Sequence, residues 1–387
     1  MLFENMPEIT TNEVQEALQF ATEQVIGNLA EFTDRFPNAY SENRFYRPIE
    51  NKYWTTGFWT GEIWLAYEFC KEERLRTAAE TQIDSFLERI DKKIEVDHHD
   101  MGFLYSPSCV AGYKLVGNRK GREAAMKAAD QLIARYHPVG EFIQAWGDMN
   151  APDNYRLIID CLLNLPLLYW ASEETGDKKY REIAGKHTHT SIRNVIRDDY
   201  STWHTFYFDR KTGEPDHGAT HQGYKDGSAW ARGQAWAIYG CALACKYTGR
   251  TEYIDIFKGV TGYFLEHLPK DMVPFWDLTF TDGDDQPRDS SSASIAVCGI
   301  LEMIQYMERE DAKNYKKTAM QIMKSLYDHY AVKDPQVSNG LVLHGTYCKH
   351  SPYNSCRQEG VDECNSWGDY FYMEALTRLN GEWRSYW

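Results

Sequence analysis

The chain predicts an all-α fold, six helical hairpins closed in a ring so that an inner and an outer layer of helices share one core. Apolar residues recur at helical spacing through most of its length. Ala124, Ala128, Leu132 and Tyr136 stand four apart, and Tyr253, Phe257, Val260 and Phe264 use the mixed three-and-four steps of one helix face. A loose repeat then pairs the helices. Leu168-Tyr169-Trp170-Ala171 leads through Thr175-Gly176 to Tyr180, Tyr239-Gly240-Cys241-Ala242 leads through Thr248-Gly249 to Tyr253, and Met303-Ile304-Gln305-Tyr306 leads through Asp311 to Tyr315. An open solenoid is the competing arrangement. The irregular period, and loops rich in Trp, His and Asp, favour closure with a site at one end, and a ring needs no domain boundary, so residues 1–387 are expected to form one domain.

Taken in order, the periodic segments fall at 12–35, 57–70, 74–94, 100–116, 120–136, 153–174, 178–198, 228–248, 251–268, 289–308, 312–331 and 366–379, about twelve helices with edges good to a few residues. Pro166 should kink or restart the sixth, because it lacks an amide donor and clashes with the preceding turn. Thr-Gly at 175–176 and 248–249 supplies helix stops. Ser228 is the expected amino-terminal cap of the eighth, and Tyr315, Ala319, Ile322 and Leu326 mark the buried face of the eleventh. Two alternating segments, Trp203–Phe208 and Gly340–His344, read as extended hairpin strands over the mouth of the ring.

A formal charge of −15 argues against nucleic acid or an anionic membrane as partner. The start, Met1-Leu2-Phe3-Glu4-Asn5-Met6-Pro7-Glu8, shows no basic stretch leading into an apolar run, and no later segment is long and apolar enough to span a bilayer, so a soluble cytoplasmic protein, monomer or homodimer, is expected. Nine cysteines without disulfide or metal spacing read as small buried hydrophobes in a reducing compartment. No phosphate-cradling glycine fingerprint follows a strand, so no nucleotide cofactor is expected.

Asp160 carries the chemical signal. It lies in Arg156-Leu157-Ile158-Ile159-Asp160-Cys161-Leu162-Leu163-Asn164-Leu165, and a carboxyl taken out of water resists ionising, which keeps a proton donor loaded at neutral pH. An aspartate satisfied by backbone amides is the plainer alternative. Asp100, in Asp97-His98-His99-Asp100-Met101-Gly102-Phe103, is a second candidate in a context where helix capping is common. A third cluster runs from Asp216-His217-Gly218-Ala219-Thr220-His221-Gln222 to Arg232 and Trp236, which stand four apart on one helix face. An arginine in a first helical turn opposes the dipole unless it meets an anion, either a ligand carboxylate or a protein one. His217 and His221 have metal-ligand spacing and His98-His99-Asp100 offers donors, but nothing in the sequence completes either set, so hydrogen-bonding roles and no metal are expected. Asp282-Gly283-Asp284-Asp285 starts like a calcium loop, but Ala293 stands at the twelfth position, so a turn is expected.

With these segments in place, the chain resembles the unsaturated glucuronyl hydrolases of glycoside hydrolase family 88, from Asn51-Lys52-Tyr53-Trp54 through both aspartate segments to Glu363-Cys364-Asn365-Ser366-Trp367-Gly368-Asp369-Tyr370. The resemblance implies an (α/α)6 barrel, Asp160 as catalytic acid and base, and Asp100 as its partner. It places Trp54, His99, Trp146, His204, Gln222, Arg232 and Trp236 around an unsaturated uronate, with His221 beside them. The implied substrate is a short lyase-generated oligosaccharide of the hyaluronan, chondroitin or heparin type, ending in a 4,5-unsaturated uronic acid. The implied reaction is hydration of the vinyl ether without a cofactor. Some members carry a Ser-x-x-Ser-x-Lys loop for sulfated sugars. Pro352-Tyr353-Asn354-Ser355-Cys356-Arg357 stands at the similar place, with Ser355 and Arg357 matching in kind and Pro352 not. Alternatives are an unsaturated rhamnogalacturonyl hydrolase, a sugar epimerase or isomerase using His204 and His221, and a carbohydrate-binding protein.

Overall fold

Twelve helical units follow one another in the computed structural model, which describes residues 6–151 and 153–387. The segment 1–5, on which part of the leader expectation rests, lies outside the described residues. Six units have one apolar stripe and form the outer layer: α1 (Thr11–Phe32), α3 (Glu73–Asp91), α5 (Arg119–Ile133), α7 (Lys178–Val195), α9 (Glu252–Glu266) and α11 (Arg309–Ser325). Between them in sequence run the inner units α2 (Thr56–Cys70), α4 (101–116, with a wide π turn at Ser106–Val110), α6 (161–175), α8 (Ala231–Thr248), α10 (Ser290–Met303) and α12 (Ser366–Asn380).

Inner and outer helices differ because their sequences do. Every residue of α10 and every residue from 231 to 245 of α8 is buried, as expected of helices apolar on all sides. Their Ala, Gly and Ser content lets backbones approach closely: a Cβ on Gly299 would lie 2.6 Å from the Tyr239 Cα. Each inner helix packs on the next, α2 on α4, α4 on α6, α6 on α8, α8 on α10, α10 on α12, and α12 again on α2, with α1 against both members of the last pair. The fold is therefore the expected (α/α)6 barrel. Gly176 and Gly249 take the left-handed conformation (φ 75° and 69°) and end α6 and α8 as Thr-Gly promised. Among the described residues no helix is long and apolar enough to cross a membrane.

Several local expectations need correction. The sixth segment is not helical from 153. Arg156–Ile158 forms β1, which pairs antiparallel with β2 (Thr205–Phe208), and β2 in turn with β3 (Pro215–Ala219). The run Leu157-Ile158-Ile159 is periodic for neither structure, and β2 supplies the backbone partners that decide it. The helix begins at Cys161 and restarts at Pro166, as expected. Gly340–His344 forms no hairpin. The extended pair lies further on, β4 (Gly345–Cys348) with β5 (Glu359–Glu363), and Val342 makes only a single bridge to Ala331. Ser228 does not cap α8, which starts at Ala231; its hydroxyl donates to Asp277 and to the Lys225 carbonyl. The cysteines are not all free: Cys348 and Cys356 pair as a disulfide, while Cys109, Cys161, Cys241, Cys245, Cys298 and Cys364 are buried thiols and Cys70 is exposed.

Candidate active site

The strand–turn–helix at 156–164 positions the central carboxyl. Because strand side chains alternate, Arg156, Ile158 and then Asp160 face a cavity of about 460 Å³ at one end of the barrel, while Leu157 and Ile159 are fully buried behind it. Asp160 stands just before α6, with its side chain 17% exposed. Asp100 takes the equivalent place before α4, yet its carboxylate makes no capping bond and turns into the cavity instead. His99 lies behind both. Its Nε2 is 3.4 Å from Asp100 Oδ1 and 3.4 Å from Asp160 Oδ1, with no hydrogen-bond partner for any of these three buried atoms.

This arrangement splits the two carboxyls. Burial pushes the Asp160 carboxyl well above the ordinary aspartate value, and the Asp100 charge pushes it further. Burial acts on Asp100 in the same sense, but His99, His98 and Asn164 more than offset it and hold Asp100 below its ordinary value. Burial also pushes His99 down to about 4, so its imidazole is neutral near pH 7. The two carboxyls are thus driven apart, Asp160 toward its protonated form and Asp100 toward its ionised one, the pattern of an acid beside a negative charge.

Aromatic rings wall the cavity. Trp54 stacks on Trp367 (5.3 Å, 25°), Trp146 stands 38% exposed at the rim on His98 (4.4 Å, 9°), and Trp236 is buried at the base. His204 Nδ1 accepts the His221 backbone N–H (2.8 Å), and burial pushes both imidazoles down. A ring nitrogen so engaged is a poor base, which removes the motive for an epimerase reading. His221 Nδ1 meets Ser355 Oγ at 2.8 Å, and Gln222 Nε2 donates to the Tyr347 carbonyl.

Arg232 resolves to the protein-carboxylate alternative. Its guanidinium is fully buried, pairs with Asp289 (3.1 Å), donates to the Thr346 and Tyr347 carbonyls, and lies over the rings of Trp230 and Trp367. It still borders the cavity, but most of its donors are spent. His217, by contrast, is exposed, stacks on Tyr207 and pairs with Asp216, so it never joins His221. Asp284 accepts the Thr281 N–H within a turn, as expected of that acidic run.

Of the site residues that the resemblance implies, all but His99 border the cavity directly, Ser355 from the exposed loop that the Cys348–Cys356 pair closes and Arg357 just beyond it. Sequence reasoning missed Arg156, Tyr53, Trp230, Tyr347 and Glu359, which also line it. Reading 156–160 at period two would have found Arg156. Nothing in the local pattern marks Tyr347, whose hydroxyl receives the Trp54 indole N–H.

An acid and an ionised carboxylate on the floor of an indole-lined cavity, at one end of a helical toroid, define an enzyme that cuts carbohydrate. The chain belongs to glycosyl hydrolase family 88, whose model matches residues 28–378. It is 49% identical to the unsaturated chondroitin disaccharide hydrolase of Streptococcus pneumoniae, over 100% of this chain and 96% of that protein. The crystal structure of unsaturated glucuronyl hydrolase from Streptococcus agalactiae superposes with a TM-score of 0.96 at 48% identity, covering 100% of this chain and 96% of that one. A mutant of that hydrolase complexed with dGlcA-GalNAc6S gives a TM-score of 0.88 at 45% identity, with the same coverage.

Proposed function

We propose that this glycoside hydrolase removes the 4,5-unsaturated uronic acid from the non-reducing end of lyase-generated glycosaminoglycan oligosaccharides. The observation that carries the reading is the carboxyl pair itself, Asp160 and Asp100 each 3.4 Å from His99 Nε2 in a cavity sized for one or two sugar rings, with burial and the Asp100 charge driving Asp160 toward its protonated form. Asp160 hands its proton to C4 of the vinyl ether, and positive charge develops across C5 and the ring oxygen, where Asp100 offsets it. Water then adds at C5 and returns a proton to Asp160. The hemiketal so formed opens and releases the neighbouring sugar. The enzyme adds water across C4–C5 and displaces nothing at the anomeric carbon, so the carboxylate-spacing rule for retaining and inverting glycosidases does not apply.

In this reading Trp54, Trp146 and Trp236 offer flat faces to the sugars, while His99, His204, His221 and Gln222 surround the uronate. Arg232 contributes positive potential through its partly offset charge rather than a clamp. Ser355 and Arg357, at the rim, suit a sulfate on the second sugar, which agrees with the relative whose structure holds a sulfated disaccharide. We also read the chain as a single catalytic domain, supported by the closure of α12 on α1 and α2. We further read the protein as cytoplasmic, a reading that seven free thiols favour and the single Cys348–Cys356 disulfide opposes. The test is a panel of lyase-generated disaccharides followed by loss of the conjugated double bond's ultraviolet absorbance. Turnover is expected, with sulfated chondroitin disaccharides favoured and that preference lost in Arg357→Ala. An unchanged absorbance across the panel would dismiss the function, and equal rates unaffected by Arg357→Ala would dismiss the sulfate role.

A further inference from the structure

The sequence offered His98, His99 and Asp100 as donors with nothing to complete them, and no metal was expected there. The fold adds Asp160, sixty positions away, and the three donor atoms lie within 4.8 Å of one another. We propose that His99, Asp100 and Asp160 form an inhibitory site for a divalent zinc-like cation, which competes with substrate for the catalytic centre. The inhibitory part rests on the function proposed above; the binding part does not.

Geometry and chemistry both point there. With zinc bonds of about 2.0–2.1 Å, neighbouring ligands of a tetrahedral ion stand about 3.4 Å apart. His99 Nε2 stands 3.4 Å from Asp100 Oδ1 and 3.4 Å from Asp160 Oδ1, so two edges of the tetrahedron are already built. The third edge, between the two carboxylates, lies within 4.8 Å. All three atoms are buried without a hydrogen-bond partner, so no hydrogen bond has to be given up to bind an ion. The imidazole nitrogen is a borderline donor that suits zinc, and zinc also takes carboxylate oxygens, whereas magnesium and calcium take larger, all-oxygen sets. The fourth position opens into the cavity, where water or a chelating buffer ion can complete the shell. A cation held here takes the Asp160 lone pair that the proton occupies during turnover. It also cancels the Asp100 charge meant for the sugar. Binding and catalysis are therefore mutually exclusive.

Zinc chloride is titrated calorimetrically into EDTA-treated, dialysed protein, alongside Asp160→Asn and His99→Gln variants whose folding is checked by circular dichroism. The surface pairs His217–Asp216 and His344–Asp362 are the rival sites, tested with His217→Gln and His344→Gln. One equivalent is expected to bind with micromolar affinity, weakened at least about tenfold in Asp160→Asn and His99→Gln and unchanged in the surface variants. In the disaccharide assay zinc should raise KM and leave kcat unchanged, with EDTA restoring the rate. No stoichiometric binding, or binding that survives in Asp160→Asn and disappears in a surface variant, overturns the site. Binding with noncompetitive kinetics overturns its inhibitory role. Absence of any disaccharide hydrolysis refutes the function and leaves the calorimetric result to decide the site.

Discussion

Replacing Asp160 by Asn is the sharpest probe of the mechanism, because it changes one exchangeable proton and almost no volume. The amide fits where the carboxyl stood, between His99 and the cavity, and leaves the Arg232–Asp289 pair untouched. A positioned general acid contributes ~10²–10⁴-fold to rate. The surroundings of Asp160 place the expected loss at the upper end, since no neighbour can deputise: Asp100 is held ionised and His99 is held neutral, down to about 4. The same group also serves as base when water adds, so both halves of the reaction fail together. We expect kcat to fall by about 10⁴, roughly 5 kcal/mol of barrier. KM should hold, because a protonated carboxyl gives way to an amide of the same charge and nearly the same shape. Stability should hold or increase, because a buried acid has been removed. Initial rates of absorbance loss at varied disaccharide concentration give both constants, and thermal unfolding confirms the fold. A folded Asp160→Asn enzyme with kcat within about tenfold of wild type would refute the assignment of Asp160 as the proton donor.

Three further outcomes follow from the same electrostatics. Asp100→Asn removes the second cause of the high Asp160 pKa, so Asp160 should ionise at lower pH, and the alkaline limb of the kcat profile should move toward acid while kcat itself falls; an alkaline limb left in place would show that burial alone sets it. Asp289→Ala strands the buried Arg232 charge and should cost about 3–5 kcal/mol, read from the urea midpoint. Asp369 is buried behind Tyr46 and pushed up to about 7 from 3.8. Between those values the folded chain keeps a proton that the unfolded chain sheds, so this residue makes stability fall as pH rises from about 4 to about 7, a slope that Asp369→Asn should flatten in denaturant melts across that range.

The barrel was legible because its signals are local and repeated. Outer helices announce a stripe, inner helices such as Ser290–Met303 are apolar or small all round, and Gly176 and Gly249 stop their helices where the sequence says. Elements whose structure depends on a distant partner were not legible. Leu157-Ile158-Ile159 becomes a strand only because Thr205–Phe208 lies beside it, and Ser228 loses its capping role to Asp277, forty-nine positions away. The Cys348–Cys356 pairing is likewise set by the β4–β5 hairpin rather than by any spacing motif.

The site follows the same division. That Asp160 lines the cavity could be anticipated from its place in an apolar run, whereas Asp100 stood in a context that suits a helix cap equally well. Arg232 shows the limit: a cation opposing a helix dipole requires an anion, and the sequence cannot say whether that anion arrives with the substrate or stands in the protein at Asp289. The protein's own answer is informative about the mechanism. Were Arg232 free, its full charge would favour the ionised form of Asp160 and work against a loaded acid. Tied to Asp289, it steadies the wall of the cavity and lets burial and the Asp100 charge prevail at position 160.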